Sequence, residues 1–111
     1  MDCLFCKFAK REIPLDFLYE SEKLFAINDI DPQAPTHILI IPKSHYENAP
    51  EMAVADSQSI AEMFKAAKEI AAERGLVSFR TVFNTGAEAG QSVFHAHLHL
   101  LGGRKFAWPP G

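Results

Sequence analysis

A chain of 111 residues, 48% apolar and 23% charged, has the make-up of a compact globular domain and excludes low complexity and extended disorder. A formal net charge of −3, with the 11 basic residues scattered, excludes the basic stripe of a duplex-binding protein. Apolar runs such as 38-ILII-41 fall far short of the ~20 residues that span a bilayer, and 1-MDCLFCKFAKRE-12 lacks the long apolar region of a cleavable signal.

Residues 1–111 are therefore expected to form one cytoplasmic domain that binds neither nucleic acid nor membrane. In chain order, the first expected element is a short helical turn near Cys3–Lys10. Cys3 and Cys6, the two cysteines of the chain, stand one helical turn apart in it. In a reducing compartment they are thiols or ligands rather than a disulfide. C-x-x-C by itself suits a zinc half-site or a redox pair, and the redox reading wants a βαβ setting that this chain lacks.

Strand-like segments follow at 17-FLYE-20, 24-LFAIN-28 and 37-HILIIP-42, rich in β-branched and aromatic residues, with turn clusters at 31-DPQAP-35 and 48-NAP-50. Residues 56–75 carry Ile60, Met63, Phe64, Ala67, Ile70 and Ala71 on one stripe, the pattern of a core-facing helix. Asp56 or Ser57 can cap its start and Gly75 its end. Two more strands are expected at 79-FRTVF-83 and 93-VFHAHLHLL-101, joined by the turn cluster 84-NTGAEAGQ-91. Strands this close leave little room for helical crossovers. The expected fold is α+β: a five-stranded antiparallel sheet with one long helix and a short N-terminal helix.

The last strand carries three of the five histidines at alternate positions. A strand would put His95, His97 and His99 on one face, about 7 Å apart, lining a surface or cleft, and Phe94, Ala96, Leu98 and Leu100 on the other. Two alternate histidines with a third ligand could hold a metal ion, whereas all three span too far for one ion. Alternatively, His97 could act as a nucleophile oriented by its neighbours. The preceding loop, with two glycines, Asn84, Gln91 and Ser92, can aim N–H and hydroxyl groups at an anionic oxygen, or be a plain hairpin turn.

Asn84, 90-GQSV-93 and the alternating histidines together strongly resemble the histidine triad (HIT) family of nucleotide hydrolases and transferases. The segments 27-INDIDPQAPTHILIIPKSH-45 and 102-GGRKFAWPPG-111 are similar to its Hint branch, so the resemblance covers essentially the whole chain. It implies a hydrolase of purine nucleoside phosphoramidates that works without a catalytic cofactor. His97 would attack the α-phosphorus to give a nucleotidyl-histidine, with the His95 carbonyl accepting from its other ring nitrogen. His99 would contact the phosphate, Ser92 the leaving group, and His37 would support His97 from an adjoining strand.

The nucleotide-binding set implied in the same way is Asp29 at the ribose, Ile27, Ile30, Leu4, Phe5 and Phe8 around the base, and Asn84, Gly90, Gln91, Ser92 and Val93 with the two histidines at the phosphate. On the residues alone, the apolar members could equally be core and Asp29 a turn residue. Asn28 departs from the pattern at a position where a histidine often stands. The resemblance also implies a structural zinc on Cys3, Cys6, His45 and His95, and a homodimer in which the tail 106-FAWPPG-111 lies near the other subunit's site. Rival expectations are a dinucleoside polyphosphate hydrolase of the same family and a nucleotide-binding adaptor with incidental hydrolysis.

Overall fold

Leu24–Asn28 and Thr36–Pro42 are apolar at almost every position, which suits strands covered on both faces. In the computed structural model, which describes residues 3–111, they are β2 and β3 at the heart of a sheet; Met1 and Asp2 lie outside the described residues. The other elements are α1 (Leu4–Ala9), β1 (Tyr19–Glu20), α2 (Ala49–Ala55), α3 (Ser57–Glu73), β4 (Phe79–Val82), a 3-10 turn (Ala87–Ala89) and β5 (Leu98–Gly102). The strands pair antiparallel in the order β1-β2-β3-β5-β4, the five-stranded α+β arrangement expected.

Alternation along the strands divides the core into two layers. Leu24, Ala26, Ile38, Ile40, Leu98 and Leu100 pack against Met52 of α2 and Met63, Ala66, Ala67 and Ile70 of α3. On the opposite face Phe25, Ile27, Leu39 and Ile41 pack against Cys3 and Phe5 at α1. Each fully buried Leu or Ile contributes about 1.5–3 kcal/mol through burial. That second layer is thin, and the site opens beside it.

Helix α3 starts where expected: Asp56 Oδ1 accepts the Ser59 N–H at 3.2 Å and Oδ2 the Ser59 hydroxyl at 2.6 Å. Its buried stripe runs through Met63, Ala66, Ala67, Ile70 and Ala71. Phe64, expected in that stripe, stands at its edge and is 44% exposed, with its ring edge-on to Phe83.

Helix α2 corrects the turn expected at 48-NAP-50. Asn48 Oδ1 accepts the Glu51 N–H at 2.9 Å, and Pro50 sits in the first turn, where a missing N–H costs nothing. The last strand is shorter than expected at its start: the ladder holds Leu98–Gly102 only. Residues 93–97 lie outside that ladder, and Ala96 N donates instead to the Tyr46 carbonyl at 2.7 Å. Facing still alternates, with Ala96, Leu98 and Leu100 in the helix-side core, although Phe94 is 45% exposed rather than buried.

Candidate active site and metal cluster

On the α1 side of the sheet a cleft of about 410 Å³ opens between α1, the end of β2, β3 and β5. Leu4, Phe5, Phe8, Ile27 and Leu39 give it apolar walls, and Asp29, His37, Ser92, His97 and His99 converge at its polar end. A cleft of this size, apolar with a few fixed polar groups, suits one heterocyclic ligand. Ile30 reaches the rim with 97% of its surface exposed, so it can cover a base only from the edge.

His97 Nδ1 lies 2.7 Å from the His95 carbonyl oxygen, which can only accept. The ring therefore carries its proton on Nδ1 and keeps an unprotonated Nε2. Burial lowers its pKa below the ordinary 6.5, against the opposing pull of the His95 carbonyl and the Asp29 charge. The Phe5 ring stands edge-on to it, centroid to centroid 5.0 Å.

His37, expected to support His97, makes its direct contact with His99, whose ring centroid lies 4.9 Å from that of His97. His37 pairs with Leu101 across the β3–β5 ladder and Leu39 with His99, which places His37 and His99 diagonally on one face. Their rings meet through His37 Nε2 and His99 Nδ1 at 2.9 Å. The Gln33 N–H donates to His37 Nδ1 at 3.0 Å, so that nitrogen is bare and Nε2 carries the proton. His37 then donates to His99 Nδ1, which fixes His99 with its proton on Nε2. Among the described residues, His99 Nε2 is a buried side-chain nitrogen without a hydrogen-bond partner. An unmade bond of that kind costs about 1–3 kcal/mol unless a ligand completes it.

Asp29 Oδ2 approaches His37 Nε2 at 3.4 Å, and its Oδ1 accepts the Asp31 N–H at 2.9 Å. Asp29, His37 and His99 thus lie close enough to surround a cation. The proton that Gln33 forces onto His37 Nε2 occupies the lone pair an ion would need and is donated to His99 Nδ1, so His37 and His99 form a hydrogen-bonded pair with the Asp29 carboxylate beside it.

His95 departs from the picture of three imidazoles along one cleft. Its ring is fully buried and turned away, with Nε2 2.7 Å from the Pro42 carbonyl. That contact puts the proton on Nε2 and leaves Nδ1 bare, 3.3 Å from Cys3 Sγ, 3.5 Å from Cys6 Sγ and 3.1 Å from His45 Nδ1. His45 Nδ1 is in turn 3.4 Å from Cys6 Sγ. Ligands about 2.0–2.3 Å from a tetrahedral zinc lie roughly 3.3–3.8 Å from one another, so these four residues fit the ion closely. The second-neighbour bond from Nε2 to a carbonyl is the usual support of a zinc-bound imidazole. Burial and the neighbouring Cys3 raise the Cys6 thiol to about 11, and burial lowers His95 to about 4. A divalent cation would offset the first shift, since it binds the thiolate. The cluster suggests a structural zinc site.

The loop ahead of the triad divides its labour. Gln91, expected at the phosphate, is buried and spends its side chain on the chain itself: Oε1 accepts from Gly86 N at 2.8 Å, and Nε2 donates to the Glu47 and Val93 carbonyls at 2.7 and 3.2 Å. Gly90 has φ +100°, a left-handed conformation that favours glycine, and its α-carbon faces the Asn84 amide. Ser92 and Val93 line the cleft, while Asn84, Gly90 and Gln91 frame the turn behind them. Sequence reading missed Gln33 and Arg104. Arg104 Nε donates to the Gln33 carbonyl at 2.9 Å while its guanidinium covers Phe106 at 4.2 Å, tying the tail to the turn that holds His37. Both act through main-chain groups of Gln33, which no side-chain pattern reports.

The profile of the HIT domain matches residues 10–106. The chain belongs to the HIT family. A HIT family hydrolase from Legionella pneumophila has a crystal structure that superposes with a TM-score of 0.94 at 47% identity, covering 99% of this chain and 100% of that one. An uncharacterised HIT-like protein of Synechococcus elongatus is 47% identical over 111 residues, 99% of this chain and 97% of its own length. A 14 kDa zinc-binding protein of Zea mays is 46% identical over 112 residues, covering 97% of this chain and 87% of its own. The fold is that of a HIT hydrolase. No helix among the described residues is long and apolar enough to cross a membrane.

Proposed function

We propose that this HIT protein, of the Hint type, hydrolyses purine nucleoside phosphoramidates through a covalent nucleotidyl-His97 intermediate. The observation that carries the reading is the 2.7 Å bond from His97 Nδ1 to the His95 carbonyl, which leaves a neutral, unprotonated Nε2 on a residue lining the cleft. His97 Nε2 attacks the α-phosphorus and the P–N bond breaks, with the amine leaving as its nitrogen takes a proton that solvent supplies through the Ser92 hydroxyl. Water then attacks the same phosphorus and the P–Nε2 bond breaks. Nucleoside monophosphate departs, a proton returns to solvent, and the ring is restored.

His99 Nε2–H is the donor reserved for the non-bridging oxygens, where charge grows in both steps. Asp29 keeps lone pairs for the ribose hydroxyls beyond its bond to Asp31. The apolar walls take the base. Zinc, where bound, holds Cys3, Cys6, His45 and the His95 ring and supplies folding free energy rather than chemistry. A reducing cytoplasm keeps the two cysteines available for it.

The same reading includes a homodimer. β4 is an edge strand, and Phe79 on it, Val77 just ahead of it, Phe64 on α3 and Trp108 on the tail are exposed apolar residues that a second copy would cover.

Intact-mass analysis after mixing with adenosine 5'-phosphoramidate tests the reaction. A transient mass increase of one adenylyl group, absent in His97→Ala, is expected; turnover without any dependence on His97 would reject the reading. Faster cleavage of a dinucleoside polyphosphate than of the phosphoramidate would move the substrate class to the rival within the family.

A further inference from the structure

The Phe5 ring stands between the two sites. It packs edge-on to the metal-side ring of His95 at 5.8 Å and to the cleft-side ring of His97 at 5.0 Å, and it stacks with Phe8 at 6.0 Å. Together with Leu4 and Phe8 it forms one whole wall of the cleft, and all three belong to α1.

A helix of six residues does not hold itself together in water, where even 12–15 residues are marginal. Its seat must come from outside. Cys3 and Cys6 flank Phe5 in sequence, and both sulfurs reach the four-residue cluster, Cys3 Sγ 3.3 Å and Cys6 Sγ 3.5 Å from His95 Nδ1. Cys3 Sγ also accepts the Cys6 N–H at 3.3 Å, so the residue that caps the helix is itself a ligand of the cluster. An ion bound there would fasten the first turn of α1 to His45 and His95, on the far side from the cleft.

We propose that zinc and nucleotide binding are coupled through α1: zinc on Cys3, Cys6, His45 and His95 seats the helix whose Leu4, Phe5 and Phe8 wall the cleft, so that the zinc-loaded chain binds nucleoside monophosphate more tightly than the zinc-free chain. This rests on the nucleotide reading given above. In the zinc-free chain the packing of Phe5 and Cys3 on Phe25, Ile27, Leu39 and Ile41 is left to hold α1, and the apparent dissociation constant of the nucleotide rises by the inverse of the fraction of time the helix is seated. Linkage requires the reverse as well: the nucleotide must tighten zinc by the same factor.

The test measures zinc affinity by chelator competition with and without saturating AMP, and AMP affinity by calorimetry on both metal states. Both ratios are expected to agree at about tenfold, the middle of the usual range for coupled sites. Amide exchange across residues 4–9 is expected to slow on zinc binding. AMP binding equally well to both forms, with zinc affinity unaffected by AMP, would overturn the coupling and leave the nucleotide reading intact. Absence of AMP binding to either form would overturn both.

Should the zinc-free chain unfold, Phe5→Ala in zinc-loaded protein tests the wall through which the coupling acts, and the response of its zinc affinity to saturating AMP, expected to shrink relative to the parent, tests the coupling itself. Zinc content is expected to be kept while AMP affinity falls by about tenfold, with Phe5→Leu recovering part of it. Unchanged AMP affinity in Phe5→Ala would overturn the proposal.

Discussion

His37 is bonded to His99 across the sheet, Nε2 to Nδ1 at 2.9 Å, and the backbone of Gln33 decides which nitrogen of each ring carries the proton. Replacing His37 by alanine frees His99 to adopt either tautomer, and the one with a bare Nε2 cannot donate to a phosphate oxygen. A hydrogen bond to a charged group contributes about 1.5–3 kcal/mol, so kcat is expected to fall roughly 10–100-fold with KM little changed. Nitrogen chemical shifts of the His99 ring separate this from a packing defect: a single tautomer in the parent and a mixture in His37→Ala is the expected result.

His99 adds to a loss of stability on acidification that the lowered pKa values of His95 and His97 also favour. Burial first, then the neighbouring His97 and His37, lower the pKa of His99 from 6.5 to about 4. The unfolded ring takes up its proton near 6.5 and the folded ring only near 4, so this contribution to stability is complete above 6.5 and is lost as the pH falls toward 4. Urea unfolding of the parent and His99→Gln over that range checks the sign. The parent should lose stability more steeply on acidification, and parallel curves would count against the assignment.

Metal analysis addresses the cluster. The parent is expected to carry one zinc per chain and Cys6→Ser much less, with Tm lowered by at least ~4–8 °C, the shift that about 1 kcal/mol brings in a chain this small. The nucleotidyl adduct should still form at saturating substrate, because the His95 carbonyl that orients His97 remains. Loss of the adduct in a folded Cys6→Ser protein would mean that the metal takes part in the chemistry.

The edge strand makes the oligomer testable. Phe79 is 41% exposed at the start of β4, beside the open edge of the sheet. A buried carboxylate in a subunit interface costs several kcal/mol, so Phe79→Glu is expected to halve the mass seen by sedimentation velocity while the fold persists. A parent that sediments as a monomer at micromolar concentration would refute the dimer.

What was legible in the chain follows what local pattern can carry. The 3.6-residue stripe of α3 and the near-continuous apolar runs of β2 and β3 report their own burial, and those elements stand close to where they were expected. Helix α2 was hidden by Asn48 and Pro50, which serve a turn and a helix start equally well; Met52 and the Glu51 N–H decide between them only in three dimensions. Periodicity detects an extended chain, not a partner. It therefore ran the last strand back to Val93, although the ladder starts at Leu98.

The site shows the same division. The spacing of His95, His97 and His99 signalled chemistry, yet it could not show that the first ring faces away from the other two. Nor could it show that a diagonal neighbour on β3 would bring His37 to His99. Register and the Gln33 amide settle both that pairing and the tautomers, and neither is written in side-chain type.

His95 lends its ring to one site and its carbonyl to the other. One codon change erases the ring, but every amino acid brings the same carbonyl. The acceptor beneath His97 is thus beyond the reach of ordinary substitution, and a lineage can shed the two thiols and both imidazoles of the cluster and still inherit the carbonyl that orients His97.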